Sequence, residues 1–343
     1  MMEPSPTGPL LAIRDLKVSF TRRNGPSLEA VRGVDFTLHP GEVLAVVGES
    51  GSGKSLSMLA AIGLTPPTAT VSGSVRFRGV ELVGVPRSYL RSIRGAQIAM
   101  IFQDSLSALN PVLTVGDQIA EALQLHHPDM TRREAWKKAE ELLALVAVPQ
   151  PDRRVGQYPH EFSGGMRQRA MIAMAVANNP TVLIADEPTT ALDVTVQAQV
   201  MDVLKRLREQ LGLALILITH DMGVVAGMAD RVAVMYAGRV VEDAAVADLF
   251  RDPRHPYTRG LLASVPKIED DGQNELYSIP GAPPLLGSRA PGCAFSERCA
   301  YAAPVCGTEQ PALRLVGSQR VACHFADRLP RATKAELAPE GTA

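Results

Sequence analysis

The chain lacks the features that commit a protein to nucleic acid, to secretion or to a membrane span. Its 35 Lys and Arg are balanced by 36 Asp and Glu, so a formal net charge of -1 leaves no broad cationic field for a nucleic-acid backbone. The best apolar run, LALILIT at 213–219, has the length of a strand rather than the roughly 20 residues of a membrane helix. The N-terminal MMEPSPTGPLLAIRD lacks the basic and apolar regions of a secretory signal. We therefore expect a cytoplasmic chain without a nucleic-acid partner.

The composition is that of a soluble globular protein, with 46% hydrophobic and 21% charged residues among 343. Short β-branched runs alternate with longer helical patterns, which predicts an α/β fold with a largely parallel core sheet. Three predicted strands end in polar residues: EVLAVVGES at 42–50, TVLIADEP at 181–188 and LALILITHD at 213–221. Ligands bind beyond the carboxyl ends of strands in such sheets, so these three ends are expected to converge.

Two stretches predict helices with defined ends. In TRREAWKKAEELLALVAV at 131–148, Thr131 and Glu134 have capping-box spacing. The run beginning ALDVTVQ has apolar residues at helical spacing and Gly212 placed to end it. From about Arg251 the composition shifts to proline, glycine and cysteine. We predict a main domain at 10–250 with a helical subdomain at about 104–178, an extension at 251–330 and a flexible tail at 331–343.

The strongest motif is GESGSGKS, which fits G-x-x-x-x-G-K-[ST] between a predicted strand and a predicted helix. In such a loop the glycines let backbone N–H groups surround phosphate oxygens, while Lys54 reaches the β- and γ-phosphates and Ser55 ligates Mg²⁺. The alternative, a chance glycine turn before a helix, does not account for this setting. The predicted phosphate-binding residues are Gly48, Glu49, Ser50, Gly51, Ser52, Gly53, Lys54 and Ser55.

Two adjacent carboxylates end the next informative strand. Asp186 is placed to hold Mg²⁺ through water, and Glu187 to polarise an attacking water. Alone, the pair could be an ordinary acidic turn, but beside a phosphate loop it indicates nucleotide hydrolysis. His220, after the following strand, is a candidate to contact the γ-phosphate or orient that water; a lone histidine is more often structural.

A second phosphate-sized opening is predicted at FSGGMRQRAMIAMA, 162–175, where Ser163, Gly164 and Gly165 stand at the start of a helix. Free N–H groups and the positive end of the helix dipole make such a start an anion site. One triphosphate has little use for two glycine cradles in one chain. The second is therefore expected to serve the nucleotide of another subunit.

In that order, GESGSGKS, FSGGMRQR, VLIADEP, ALD and ITHD resemble the motifs of an ATP-binding-cassette (ABC) ATPase, over roughly residues 10–250. The resemblance implies a P-loop core with an inserted helical subdomain, and two cassettes that dimerise head to tail around ATP. It implies that Gln103 senses Mg²⁺ and faces a permease, that Asp193 lies in a turn crossing the dimer interface and that Phe20 stacks on adenine, although an apolar strand residue is more often core. Phe162 stands where leucine is commoner in the family. The implied signature loop comprises Ser163, Gly164, Gly165, Met166, Arg167 and Gln168.

PRHPYTRGLLASVP at 253–266 and IFQDSLSALNPVLTVGDQI at 101–119 resemble the ATPase subunits of bacterial dipeptide and oligopeptide importers. That resemblance implies an ATPase on the cytoplasmic face of the inner membrane, docked on two permease subunits and fed by an extracytoplasmic peptide-binding protein. It favours a paralogue as the second ATPase. Importers of nickel or other solutes share most of these motifs, so the sequence leaves these substrates as alternatives. A non-transport ABC ATPase is disfavoured, because the chain has one cassette and no sustained heptads.

All four cysteines lie in the extension, at Cys293, Cys299, Cys306 and Cys323. Disulfides are not expected in a reducing cytosol, which leaves buried thiols, a Zn²⁺ site or an iron–sulfur cluster. Four thiolates suit either metal centre, and the spacing lacks the close C-x2-C pairs of many zinc folds. Similar tails in peptide-importer ATPases are associated with a [4Fe–4S] cluster, so the resemblance favours the cluster, with zinc as the alternative.

Overall fold

The computed structural model describes residues 8–21, 27–104, 108–190, 192–265, 277–285 and 291–330. The predicted tail at 331–343 lies outside these ranges. Among the helices in the described ranges, none has both the length and the apolar character needed to cross a bilayer. The chain divides into two compact units, the first combining described residues of 8–37, 44–83 and 219–330, and the second 38–43 and 84–218.

The first unit combines described residues from both the N-terminal and the C-terminal parts of the chain. Its strands are β1 (Leu11–Phe20), β2 (Leu28–Leu38), β3 (Val43–Val47), β4 (Ala69–Phe77), β5 (Val80–Glu81), β9 (Arg231–Tyr236), β10 (Arg239–Ala245), β11 (Arg314–Val316) and β12 (Gln319–Val321). Its helices are α1 (Lys54–Ala61), α8 (Met222–Met228), α9 (Val246–Arg251), α10 (Pro256–Ala263) and α11 (Pro304–Thr308). One sheet has the order β2-β1-β4-β5, and a further set of strands has the order β11-β12-β10-β9-β3, with β3 and β9 parallel and the β9–β10 and β10–β12 pairs antiparallel.

The second unit contains three parallel strands, β6 (Ile98–Ile101), β7 (Val182–Asp186) and β8 (Ala214–Thr219), in the order β8-β7-β6. Every residue of β7 and β8 is buried, as expected for strands covered on both faces. Its helices are α2 (Arg87–Ile93), α3 (Val115–His126), α4 (Arg132–Leu145), α5 (Pro151–Arg154), α6 (Gly164–Val176) and α7 (Val194–Leu211).

The helix ends predicted from sequence are confirmed. Thr131 Oγ1 accepts the Glu134 N–H and Glu134 Oε2 accepts the Thr131 N–H, so the capping box at the start of α4 is formed. Gly212 ends α7 in the left-handed conformation, with φ of 62°. Helices α3 to α6 occupy most of the predicted helical subdomain, while the domain boundaries themselves stay predictions.

A buried carboxyl in β10 fixes the segment that leads into α10. Glu242 is fully buried, and its two oxygens accept the backbone N–H groups of Arg254 at 2.6 Å and His255 at 3.0 Å. The imidazole of His255, also buried, accepts the Tyr257 N–H at 3.1 Å and so caps the helix. Burial lowers the pKa of His255 to about 3, which keeps the ring neutral and able to accept that bond.

Glu242 should make the stability of the fold depend on pH. Burial raises its pKa from 4.5 to about 7, so the folded chain binds this proton more tightly than the unfolded chain. Its contribution to the free energy of unfolding is therefore fully present below about pH 4.5 and is lost as the pH rises through 7. Glu242→Gln does not titrate and offers one acceptor oxygen for two N–H groups, so it should be less stable than the native chain, with the larger deficit at pH 5. Urea unfolding of both proteins at pH 5 and pH 8 measures this, and a deficit that grows with pH would contradict it.

Candidate nucleotide site

The phosphate loop in the first unit follows β3 and leads into α1. Gly48 has φ of 149°, and a Cβ built on it would lie 2.1 Å from the backbone oxygen of Met235 in β9. Gly51 and Gly53 also have positive φ, at 77° and 97°. The loop therefore adopts a conformation that requires glycine at its first residue, both for its φ and for the space available.

The polar groups of this loop point to an anionic ligand. Lys54 is only 5% exposed, and its ammonium donates to the carbonyl oxygens of Gly48 at 2.7 Å and Glu49 at 3.0 Å. Ser52 is 4% exposed, and its hydroxyl has no hydrogen-bond partner among the described residues. No side chain caps α1, whose N-cap is Gly53. A lysine, an unsatisfied hydroxyl and an uncapped helix start fit the phosphates of a nucleotide.

The second unit brings Gln103 and Glu187 together. Strands β6 and β7 are parallel neighbours, with Ile101 opposite Ala185, so the residues that follow them lie at the same edge. Glu187 Oε2 accepts hydrogen bonds from Gln103 Nε2 and from Thr190 Oγ1, each at 2.9 Å. These two donors hold the carboxylate in one orientation, and its role as a general base stays a prediction.

Glu187 also has an uncommon backbone conformation, with φ of 46°. A residue other than glycine pays of order 1–3 kcal/mol to be held there, and such strain concentrates at functional sites. Its N–H donates to the Ile218 oxygen at 2.9 Å, which ties the turn to β8. Asp186, the last residue of β7, is 5% exposed and so lies in a more buried environment than Glu187. The predicted division of metal and base roles between them stays a prediction.

The predicted signature loop forms the start of α6. Ser163 is its N-cap, and the serine hydroxyl accepts the Met166 N–H at 3.3 Å. The side-chain amide nitrogen of Gln168, a residue that is 4% exposed, and Nε of Arg167 have no hydrogen-bond partner among the described residues. The serine N-cap is therefore formed, and the binding of an anion at this helix start stays a prediction.

Gly165 also has a packing role that the sequence did not reveal. A Cβ on Gly165 would lie 2.4 Å from Cγ1 of Val196 in α7, whereas one on Gly164 would make an ordinary 3.5 Å contact with Leu192. We expect Gly165→Ala to lower the free energy of unfolding by about 1–3 kcal/mol through this overlap, despite the helix propensity of alanine. Gly164→Ala is the matched control and should cost little. Urea unfolding distinguishes the two, and equal stabilities would contradict the packing argument.

The remaining predicted site residues lie at element ends. Phe20 is half-buried at the end of β1, His220 is exposed after β8, and Asp193 is the N-cap of α7, accepting the Val196 N–H at 2.9 Å. Their predicted roles with adenine, water and a second cassette stay predictions. Thr190 was missed, although its place three residues after Glu187 in the same turn is a signal that could have found it.

The four cysteines of the extension line one small cavity of about 20 Å³, together with aromatic residues that include Phe295 and Phe325. All four thiols are free of disulfides. Burial raises the pKa of Cys293, Cys323 and Cys299, the last to about 11. Over the described part of the chain, no group of three or more His, Cys, Asp or Glu side chains is arranged to hold a metal ion. Neither the predicted cluster nor the zinc alternative is therefore supported by a ligand set converging on one ion.

Two family profiles match the chain: "ABC transporter" over residues 31–190 and "Oligopeptide/dipeptide transporter, C-terminal region" over residues 241–306. Among curated proteins, the oligopeptide transport ATP-binding protein OppD of Mycobacterium tuberculosis is 54% identical over 316 residues, covering 92% of this chain and 52% of that protein. The OppD of Bacillus subtilis is 51% identical over 88% of this chain and 84% of its own length. The dipeptide transport ATP-binding protein DppD of the same species is 50% identical over 88% and 90%. The chain thus spans about half the length of its mycobacterial relatives and most of its Bacillus ones.

The fold is also similar to solved structures of ATP-binding cassettes. The ATP-binding cassette MJ0796, in a dimeric post-hydrolysis state bound to ADP and phosphate, is 28% identical with a TM-score of 0.62, over 69% of this chain and 98% of that one. This likeness confirms the predicted nucleotide-binding fold. The chain belongs to the ABC transporter family and carries the C-terminal region of its oligopeptide and dipeptide transporters.

Proposed function

We propose that this chain is the ATP-hydrolysing motor subunit of an importer that takes up dipeptides or oligopeptides across the cytoplasmic membrane. The observation that carries the proposal is the presence, in one chain, of an ABC transporter region and the C-terminal region of oligopeptide and dipeptide transporters. The relatives named as oligopeptide and dipeptide transport proteins support the substrate class.

In the proposed reaction, the phosphate loop from Gly48 to Ser55 binds the nucleotide. Lys54 offsets the charge of the β- and γ-phosphates, and the Ser52 hydroxyl gains the partner it lacks among the described residues. Ser55 and Asp186 are the residues that would hold Mg²⁺, which supplies charge neutralisation at the phosphates. Glu187, oriented by Gln103 and Thr190, accepts the proton of the attacking water. His220 is proposed to contact the γ-phosphate or to orient that water.

The signature loop is proposed to act on the nucleotide of a second cassette. Ser163, Gly164 and Gly165 present the start of α6, where N–H groups and the helix dipole favour a phosphate. Asp193 would lie in the turn that crosses to the partner, and Phe20 would stack on adenine. A related cassette has been solved as a dimer, which supports a pair of cassettes. We propose that the two pair head to tail and that the second ATPase is a paralogue.

The transport partners are proposed from the family. Two permease subunits would anchor the chain peripherally at the inner membrane, and an extracytoplasmic binding protein would deliver the peptide. Gln103 would report the state of the nucleotide to the permeases, since it contacts Glu187 directly. Closure of the two cassettes would switch the permeases between their open states, and hydrolysis would reset them.

We also propose that the four cysteines around this cavity bind a [4Fe–4S] cluster. Its support is the donor set, because four free thiols line one cavity. In such a cluster, each cysteine sulfur binds a different iron atom. The four sulfurs therefore need not converge on a single ion, as a zinc site requires. Iron and sulfide assays on protein purified without oxygen test this. Absence of both, with Cys306→Ser unchanged in absorption and stability, would refute it.

Transport-coupled turnover tests the proposed function. The chain, its permeases, the second ATPase and the binding protein are reconstituted in proteoliposomes, and ATPase rates are measured with dipeptides, pentapeptides or Ni²⁺. Stimulation by a peptide, together with its accumulation, is expected. Stimulation by Ni²⁺ alone would move the chain to a metal importer, and ATPase activity unaffected by any permease would contradict a transport role.

A further inference from the structure

The extension contacts the phosphate loop directly. The Glu49 carboxylate forms a bidentate ion pair with Arg298, at 2.8 Å from Nη1 and 3.0 Å from Nη2. The backbone N–H of Glu49 donates to the hydroxyl of Tyr257, which is fully buried in α10, at 2.8 Å. Both the side chain and the backbone of the loop's second residue are therefore held by residues more than 200 positions away.

The side chain of Arg298 is buried and held by several hydrogen bonds. Its side chain is 6% exposed. Besides Glu49, its guanidinium donates to the Tyr236 hydroxyl at 3.2 Å and to the backbone oxygens of Ile279 at 3.3 Å and Pro280 at 2.9 Å. These contacts involve all three guanidinium nitrogens and five acceptor atoms, so the fork has one defined orientation.

An aromatic cluster connects this arginine to the cysteine-lined cavity. Phe295 lies 5.3 Å from Tyr236 and 5.5 Å from Tyr257 between ring centroids, and it also lines the cavity. The guanidinium lies 5.8 Å from the Phe295 ring centroid, and Arg298 immediately precedes Cys299. The segment that carries the cysteines is thus the same segment that holds Glu49.

We infer that Arg298 and Tyr257 are positioning residues that set the affinity of the phosphate loop for ATP. The inference rests on the proposed function and deepens it. Two effects follow from the contacts. The contacts of Arg298 and Tyr257 fix the backbone at Glu49 before the nucleotide binds. This reduces the conformational entropy that the loop loses on binding. Arg298 also neutralises a carboxylate that would otherwise repel the polyphosphate.

The test measures the affinity of the folded full chain for a fluorescent ATP analogue and the unfolding temperature of the same chain. KM and kcat for ATP are then measured in the assembled complex. Arg298→Met should raise the dissociation constant and the KM for ATP about tenfold or more, with a much smaller change in kcat. Adding Glu49→Gln to Arg298→Met should recover part of the affinity, because the unpaired charge is gone. Arg314→Met is the matched control, since Arg314 pairs with Asp327 at an exposed place in the same extension, and it should bind ATP normally.

Tyr257→Phe serves where Arg298→Met does not fold, since it removes one oxygen and should also weaken ATP binding. A merely structural role would lower the unfolding temperature and leave the affinity of the folded fraction unchanged, which would overturn the inference. Native affinity in both Arg298→Met and Tyr257→Phe would do the same. A native chain that fails to bind ATP would instead refute the proposed function, and the inference with it.

Discussion

Glu187→Gln is expected to reduce ATP turnover of the assembled complex about 100- to 10,000-fold, the range associated with loss of a general base. The glutamine cannot take the proton of the attacking water. In the native chain, Gln103 and Thr190 donate hydrogen bonds to Oε2 of Glu187. The amide oxygen of the glutamine can still accept both bonds, so the turn should keep its shape. ATP binding should therefore be retained, and the nucleotide should remain unhydrolysed in the variant. Phosphate release and bound-nucleotide analysis measure the two effects.

The control for this variant is Glu209→Gln, the same chemical change on an exposed part of α7 in the same unit. It should turn over ATP at the native rate. Turnover of Glu187→Gln near the native rate, with normal assembly, would contradict the assignment of the base. His220 and the other polar residues that follow the buried strands would then be the remaining candidates for the base.

Gly48→Ala is expected to abolish nucleotide binding. The new Cβ would lie 2.1 Å from the backbone oxygen of Met235, which cannot move without breaking β9, so the loop must leave its place. The glycine also has φ of 149°, a conformation that alanine rarely adopts. We expect a loss of at least about 2 kcal/mol in the free energy of unfolding together with the loss of ATP affinity. Urea unfolding and titration with a fluorescent ATP analogue measure both quantities.

Gly79→Ala is the matched comparison for Gly48→Ala. Gly79 has φ of 81° in the turn between β4 and β5, and a Cβ there would meet nothing within 4 Å. Only the conformational cost of about 1 kcal/mol applies, and ATP binding should be unchanged. A folded Gly48→Ala protein with native affinity would show that the close approach to Met235 does not set the shape of the loop.

The local parts of this molecule were predictable because their signals are contiguous. The capping box of Thr131 and Glu134, the left-handed end of α7 at Gly212 and the buried strand before Asp186 each lie within a few residues, and each is present in the structure. The order of the motifs then indicated the family, which the comparisons show.

The contacts that were not predicted join distant parts of the chain or depend on backbone angles. Glu49 and Arg298 are 249 residues apart, and no motif includes both. A side chain at Gly165 would overlap with Val196, which belongs to another helix. The positive φ of Glu187 has no signature in residue type, since glutamate rarely adopts it. Such features arise only when the elements pack together.

Peptide uptake in living cells tests the central claim most directly. Cells expressing the native chain or Glu187→Gln at equal levels are given labelled dipeptides and oligopeptides, and accumulation is followed over time. We predict rapid uptake with the native chain and its loss with the variant, with the preferred peptide length naming the substrate. Undiminished uptake through a correctly assembled Glu187→Gln complex, in cells with no other peptide transporter, would contradict the claim that ATP hydrolysis by this chain drives peptide import.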